Sequence, residues 1–512
     1  MRWPTDSSID LVSQGARQVF RPVAFALAVA FMMLIPAFPA TAFVTERRRG
    51  TLTLLLNSPT TPFQIYIGKL GGNVLLSLVI FSVSLPALAA CFAMGGISFE
   101  NQIGPLILVL LGMAIQYSAV GLWVSVRSHS ADASLRWTYA VVLALAVFSL
   151  GPTIFVGKLE GIKSSIAHWM TAISPISALQ QITGSQAQAG EIGITTSWPE
   201  FLIASAFISL ALAAATLVKL DPLLLDRPRP TGKVVGRKSG WWRRFNYLVD
   251  PQQRKSGIPW WLNPMMVKEF RTRKFGRLHW LIRLIAMCAI ISLLLTVVAA
   301  TGTVSWGVER IAATMVLLQV ALILLLGPSL GANLIAAEVE SGGWQLLRSA
   351  PMWPLRIVVG KLMSTIWTLL LLLLATLPGY LVMSYIQPAM GGQVGNVVIS
   401  LVIAIGMVAT ISACISSFCR TTAVATATSY GLLLALFAGT LLIWLSRGKP
   451  FGPVFVERVL LLNPTAMALA EMKTPGFEQY SLTPAGWYVG IFISMLSVVV
   501  LSLRVWRMTR PD

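Results

Sequence analysis

Glu46-Arg47-Arg48-Arg49-Gly50-Thr51-Leu52, continuing through Ser58-Pro59 and Pro62 to Ile67-Gly68-Lys69-Leu70, is echoed 292 residues later by Glu338, Gly342, Ala350-Pro351, Pro354 and Gly360-Lys361-Leu362. Extending the match without a gap aligns Pro36–Pro86 with Pro328–Pro378, and 15 of the 51 positions are identical. Shared apolar composition would give roughly a tenth. Eight of the matches are Pro, Gly, Glu or Lys (Pro36, Glu46, Gly50, Pro59, Pro62, Gly68, Lys69 and Pro86), which leucine richness cannot produce. The chain is therefore a tandem repeat whose most specific segment is a short polar turn between two apolar runs.

The surroundings of that turn belong to a bilayer. Of the 512 residues 56% are hydrophobic and only 11% charged, where a soluble domain carries about 25%. A net charge of +20 could suggest nucleic acid, but the basic residues sit between apolar runs instead of forming a stripe on a soluble surface. No nucleic-acid partner is expected. A membrane helix needs about 20 apolar residues, and that ruler gives eleven spans. They are Pro22–Val44, Tyr66–Phe92, Ile103–Val126, Trp137–Val156 and Phe201–Val218, then Trp280–Ala300, Ile311–Ala336, Ile357–Met383, Val397–Ser417, Ala423–Trp444 and Trp487–Leu503.

The expected fold is all-α and polytopic, two tandem bundles of five and six spans. Residues 1–220 form the first half, 221–262 a basic cytoplasmic linker and 263–512 the second half. With Glu46–Arg49 and the linker inside, 29 of the 39 Lys and Arg fall on the cytoplasmic side, as the positive-inside rule requires. The amino terminus is then outside and the carboxyl terminus inside. Ala24–Leu34 followed by Pro36–Ala42 also fits a signal peptide. Cleavage there would leave Arg47-Arg48-Arg49 on the wrong side and would break the repeat, which favours an internal span. Both copies run the same way through the membrane, so the repeat is parallel. Tyr139 faces Tyr430 at nearly the same shift, and Ser174-Pro175 and Asn463-Pro464 precede the last span of each half.

The second half opens with an element that the first lacks. Asn263 can cap a helix starting at Pro264, with Met266, Val267 and Phe270 on one face and Lys268, Arg271, Arg273 and Lys274 beside it. Such a helix is expected on the inner membrane surface. At the repeat shift its partner, and most of a first span, would fall before residue 1. Either the first half evolved one span short or the reading frame begins upstream, and the second is the expectation here.

The repeated turn resembles the cytoplasmic loop between the second and third spans of type-2 ABC exporter permeases. That family shows an acidic residue, a basic residue, Gly-Thr, a Leu-rich turn, a Ser/Thr/Ala-Pro pair and Gly-Lys-Leu. The second copy departs from it at Val339 and Gly343. The resemblance implies that each loop forms a coupling helix docking on a nucleotide-binding subunit, that two permease halves are fused in one chain, and that the protein exports a substrate. The residues so implicated are Glu46, Arg47, Arg48, Arg49, Gly50, Thr51, Pro59, Pro62, Gly68 and Lys69, with Glu338, Gly342, Pro351, Pro354, Gly360 and Lys361. The physics points the same way. Gly50 and Gly342 end the incoming helices, and the prolines keep the turn from merging with the next span. A short stiff element held at both ends can pass on rigid-body motion. Taken alone, Lys69 and Lys361 read as side chains reaching for lipid headgroups.

No Gly-x-x-x-x-Gly-Lys-[Ser/Thr] loop occurs, so the chain is expected to be a transporter subunit and not an enzyme. No cofactor or metal is expected in it, and ATP and Mg are assigned to two separate ABC ATPase subunits. The location is the cytoplasmic membrane of a prokaryote. The spans hold almost no ionisable residues, which argues against an ion-coupled carrier. Two alternatives remain. One is a non-transporting scaffold of an envelope complex. The other is a membrane enzyme built on Glu160, His168, Glu457 and Glu471, which no spacing unites.

Overall fold

The computed structural model describes residues 7–93, 96–128, 130–146, 168–184, 197–220, 263–272, 286, 290, 308–349, 352–386, 388–445, 451–474 and 476–509. Among them there are helices and turns and no β-strand, as expected where lipid offers backbone groups no partner. Nine of the described helical segments are long and apolar enough to cross a membrane. The expected span Trp280–Ala300 lies outside the described residues. Trp137–Val156 is represented by a shorter helix, Ala131–Ala146, with the remainder also outside.

In the first half the helices are α1 (Ser7–Leu34), α2 (Ala37–Arg49), α3 (Thr51–Leu56), α4 (Pro62–Ala93), α5 (Gly104–Arg127), α6 (Ala131–Ala146), α7 (Pro175–Ile182) and α8 (Trp198–Leu220). The second half has α9 (Pro264–Thr272), α10 (Val308–Glu340), α11 (Gly343–Arg348), α12 (Pro354–Ile386), α13 (Gly391–Ser416), α14 (Thr422–Leu434), α15 (Thr440–Leu445), α16 (Pro453–Leu460), α17 (Pro464–Glu471) and α18 (Ala485–Thr509). A π-turn at Ala435–Gly439 joins α14 to α15 as one span. Contacts divide the chain into two compact units, Met1–Arg227 with Ala438–Val456, and Pro228–Phe437 with Glu457–Asp512.

The repeat is visible in how each half is bonded internally. In the first, the Ser125 hydroxyl on α5 accepts from the Phe43 and Val44 amides of α2. In the second, Ser416 on α13 accepts from Ile335 and Ala336 of α10. The Tyr139 hydroxyl donates to Met33 O at 2.5 Å, and that of Tyr430 donates to Leu325 O. The Tyr139 and Tyr430 correspondence is thus a matched pair of interhelical ties, whose acceptors Met33 and Leu325 stand at equivalent positions of the repeat. The closest helix crossings also match, with the small residue moved from one partner to the other. A Cβ on Gly121 of α5 would come within 2.7 Å of Pro39 on α2, whereas in the second half Gly331 of α10 faces Ser412 of α13 at 2.5 Å. Close backbone approach needs one glycine per crossing and is indifferent to which helix supplies it.

The segment before each last span holds a feature that the apolar ruler does not see. Helices α16 and α17 meet at a bend of 109°, a broken span or re-entrant pair. Asn463 makes the bend. Its side chain caps α17 by accepting from the Thr465 amide at 2.9 Å, while its amide donates to Phe437 O at 2.8 Å, inside the π-turn. Ser174 does the same at the equivalent place, accepting from Ile176 N and donating to Ala146 O. Replacing Asn463 with Ala should remove both bonds at a fully buried position, costing about 2–4 kcal/mol. Asn463→Ser should retain the cap. Denaturation midpoints of the detergent-solubilised variants measure the difference.

Candidate functional site: two stapled elbows

Each repeated turn is a short helix slung between two long ones. In the first, Gly50 closes α2 at φ 74°, its N–H bonded to Arg47 O and Glu46 O. That left-handed conformation is one that glycine adopts without penalty. The Thr51 hydroxyl donates to Glu46 O, and α3 follows. At the far side Thr61 and Gln64 exchange bonds, amide to side chain in both directions, in a capping box that starts α4 at Pro62. Pro59 is exposed between them. Leu52, Ile65 and Tyr66 are buried against Phe43, Leu122, Val126 and Leu220, so the elbow rests on the ends of α5 and α8.

The second elbow repeats this with Gly342, again at φ 74°, followed by α11. Trp344, Leu347, Ile357 and Val358 pack on Leu501 and Val505 of α18. The Trp344 indole N–H also donates to Met508 O at 3.3 Å. Pro354 begins α12, and Pro351 lies outside the described residues.

Lys69 and Lys361 do not reach for headgroups. The Lys69 Nζ lies 2.5 Å from Glu46 Oε1, above the Phe43 ring. Lys361 is 3.1 Å from Glu338 Oε1 and 2.6 Å from Glu269 Oε1, and Lys268 completes a four-membered chain at 2.7 Å from Glu338. The two repeated charged positions thus find each other in both copies. A lysine two turns inside the outgoing helix is held to a carboxylate in the last turn of the incoming helix, which fixes the width of the elbow.

The remaining basic residues of the first loop divide. Arg47 turns inward and its guanidinium donates to Val126 O at 2.7 Å and Ser128 O at 3.0 Å, capping α5 at its negative end. Arg49 is exposed. Arg48 lies in α2, with its side chain outside the description. The two departures of the second copy also have causes. Val339, where Arg47 stands in the first, is a packed apolar residue. A Cβ on Gly343 would come within 2.6 Å of Glu338 Oε2, so the rotamer that lets Glu338 join its lysines excludes a threonine there. Glu340 takes over a capping duty, accepting from the amide and hydroxyl of Thr422 at the start of α14.

Helix α9 docks by a different face from the one expected. Met265 and Glu269, one turn apart, are buried, whereas Met266 and Val267 are only half-buried. Asn263 caps the helix at the Met265 amide and donates to Arg356 O at 2.7 Å. Its side chain fills the space over Gly360. Phe270 and Arg271 are in the helix with side chains outside the description, and Arg273 and Lys274 lie beyond the described residues. Glu269, the lone acid in a basic stretch, is the legible signal for this buried partner. Of the acids and the histidine an enzyme would need, Glu471 is bonded to Asn396 and Thr483, and His168 Nε2 is 3.1 Å from Glu200. They brace the end opposite the elbows, and Glu160 lies outside the described residues.

Comparison with known proteins identifies the family. Residues 4–218 match one profile described as ABC-2 family transporter protein, and residues 314–507 match a second of the same description. The chain belongs to the ABC-2 family of transporter proteins and carries two of its membrane domains in tandem. The inner membrane transport permease YhhJ of Escherichia coli (strain K12) is 28% identical over 222 residues, which are 40% of this chain and 56% of that protein. The namesake from Shigella flexneri gives the same figures. The chain thus spans just over half the length of these relatives. With nine described helices long and apolar enough to cross a membrane, the chain is a multi-pass membrane protein of the ABC-2 family.

Lys361 and Glu269 are almost wholly buried, whereas Lys69 and Glu46 keep 20% and 25% of their side-chain exposure. Removing one member of a buried pair costs about 3–5 kcal/mol, and of an exposed one about 1 kcal/mol or less. Lys361→Met is therefore expected to lower the thermal midpoint in detergent well below that of Lys69→Met, and Lys361→Met with Glu269→Leu to recover part of the loss.

Proposed function

We propose that this permease is the membrane half of an ATP-driven exporter, with one separate ABC ATPase subunit under each elbow. The elbows face the cytoplasm, as the distribution of Lys and Arg suggests. ATP and Mg are held by the partners. Closure of the ATPases pushes α3 and α11, and the push reaches the spans because each elbow is fixed to its flanking helices.

The observation that carries this reading is the pair of Glu–Lys staples, Glu46 to Lys69 and Glu338 to Lys361, at the base of the elbows. A loop so held behaves as a lever, whereas a flexible loop would absorb the displacement. These carboxylates shape the lever from within and are not its contact surface. The contact surface is better sought in Leu54 and Leu346, equivalent residues of the two short helices, which are 70% and 76% exposed. An apolar side chain presented at the tip of a polar turn is a docking feature.

Leu54→Asp combined with Leu346→Asp should sharply reduce co-purification of the permease with its ATPase while leaving its own thermal midpoint nearly unchanged. Undiminished co-purification would remove the elbows from the docking surface. Charge reversal at Glu46 with Glu338 should weaken association through elbow distortion; adding Lys69→Glu should restore the first elbow, whereas adding Lys361→Glu should not restore the second, because position 361 also faces Glu269. ATP-dependent transport by vesicles holding both proteins tests the function as a whole.

A further inference from the structure

The second elbow touches α18 over only part of its surface. Trp344 and Leu347 pack on Leu501 and Val505, and beside this contact lies a cavity of about 560 Å³. Sites for small molecules span roughly 300–1,000 Å³. Leu347, Met352, Trp353 and Leu355 line it from the elbow and the start of α12, and Leu503 and Trp506 line it from α18. All of these belong to one compact unit.

What the cavity can hold follows from where its walls lead. On α12, Leu355, Val359 and Met363 are exposed at i, i+4 and i+8, and on α18 Leu496, Val499, Leu503 and Trp506 are exposed at i, i+3, i+7 and i+10. Each set follows one face of its helix, and both run from the cavity into the apolar length of a membrane span. A lipid acyl chain can follow that path from the bilayer. The charge at this end then selects the headgroup. Arg348 is the one charged group among the described residues lining the cavity. It is exposed, as are Arg356 and Arg507, and none of the three pairs with a described carboxylate. A guanidinium offers a phosphate two parallel donors, whereas no described acid in the wall answers a choline or ethanolamine cation. Trp353, which is 79% exposed, and Trp506 supply the indoles that settle at a membrane interface.

We propose that this cavity is a site for one anionic phospholipid, with an acyl chain along the exposed faces of α12 and α18 and the phosphate on Arg348. The lipid fills the gap beside the Trp344–Val505 contact and so braces the second elbow against α18. The inference rests on the packing within the second half and is independent of the ATPase reading.

The test uses the full chain in bilayer nanodiscs holding equal amounts of phosphatidylglycerol and phosphatidylcholine, both with the same diazirine-bearing acyl chain. After irradiation, mass spectrometry locates and identifies the lipid adducts. On peptides carrying Leu355 or Leu503, phosphatidylglycerol adducts are expected to exceed those of phosphatidylcholine several-fold. At Phe207 and Leu210, exposed on α8, the two lipids should label alike. Arg348→Gln should bring the ratio at the cavity down to that on α8, and Arg348→Lys should keep much of it. Equal labelling by the two lipids at the cavity of the native chain overturns the proposal, because that is ordinary contact with the bilayer. Absence of adducts there overturns it too, since a protein segment then fills the space, and so does a ratio that Arg348→Gln leaves unmoved. The comparison of the two lipids in the native chain stands whether or not a variant folds.

Discussion

A glutamate in the last turn of one membrane helix and a lysine two turns into the next are held together in both halves of this permease, Glu46 with Lys69 and Glu338 with Lys361. Charges at the edge of an apolar bundle are stable only when paired or solvated. This pairing draws the two helix ends to a fixed separation. Once that separation is set, the glycine at φ 74° and the proline at the start of the outgoing helix leave the intervening residues room for a helix of six residues and little else. The elbow's form is thus a consequence of its base.

The halves solve the same problem with different residues. A glycine is needed where α2 crosses α5 and where α10 crosses α13, and it lies on α5 in one case and on α10 in the other. The carboxyl end of α5 is capped by Arg47, while the start of α14 is capped by Glu340, one residue further along the repeat. The second elbow is the more tightly tied. It has the Trp344 bond to Met508, the cover of α9 and a buried acid for its lysine. Two elbows tied to different degrees on one chain would transmit the same displacement unequally. Once fused, each half drifts under its own packing constraints and needs to keep only the features on which transmission depends.

Much of this is legible in the residues alone. The spans follow from apolar length, the repeat from matched Pro, Gly, Glu and Lys, and the elbow from its glycine and prolines. Two expectations fail for one reason. Lys69 and Lys361 look like headgroup residues, and the apolar pattern of α9 points to the wrong buried face. In each case the partner lies far along the chain: Glu46 and Glu269 for the lysines, Gly360 and Lys361 for α9. Local pattern reports the polarity of a side chain but not which distant group it meets. The bend between α16 and α17 escapes the apolar ruler because two helices of eight residues each fall below the length that hydropathy resolves, although the Asn463-Pro464 cap is visible.

Taken by itself, the sequence determined the solvent, the helical class, the tandem order and the place where the chain turns. These depend on composition and on residues within a few positions of one another. The tertiary structure decided which charges are spent inside the elbow and which remain for a partner, because a salt bridge is defined by separation in space. It also decided that the second elbow is covered by α9, which is folded back onto a helix some ninety residues further on.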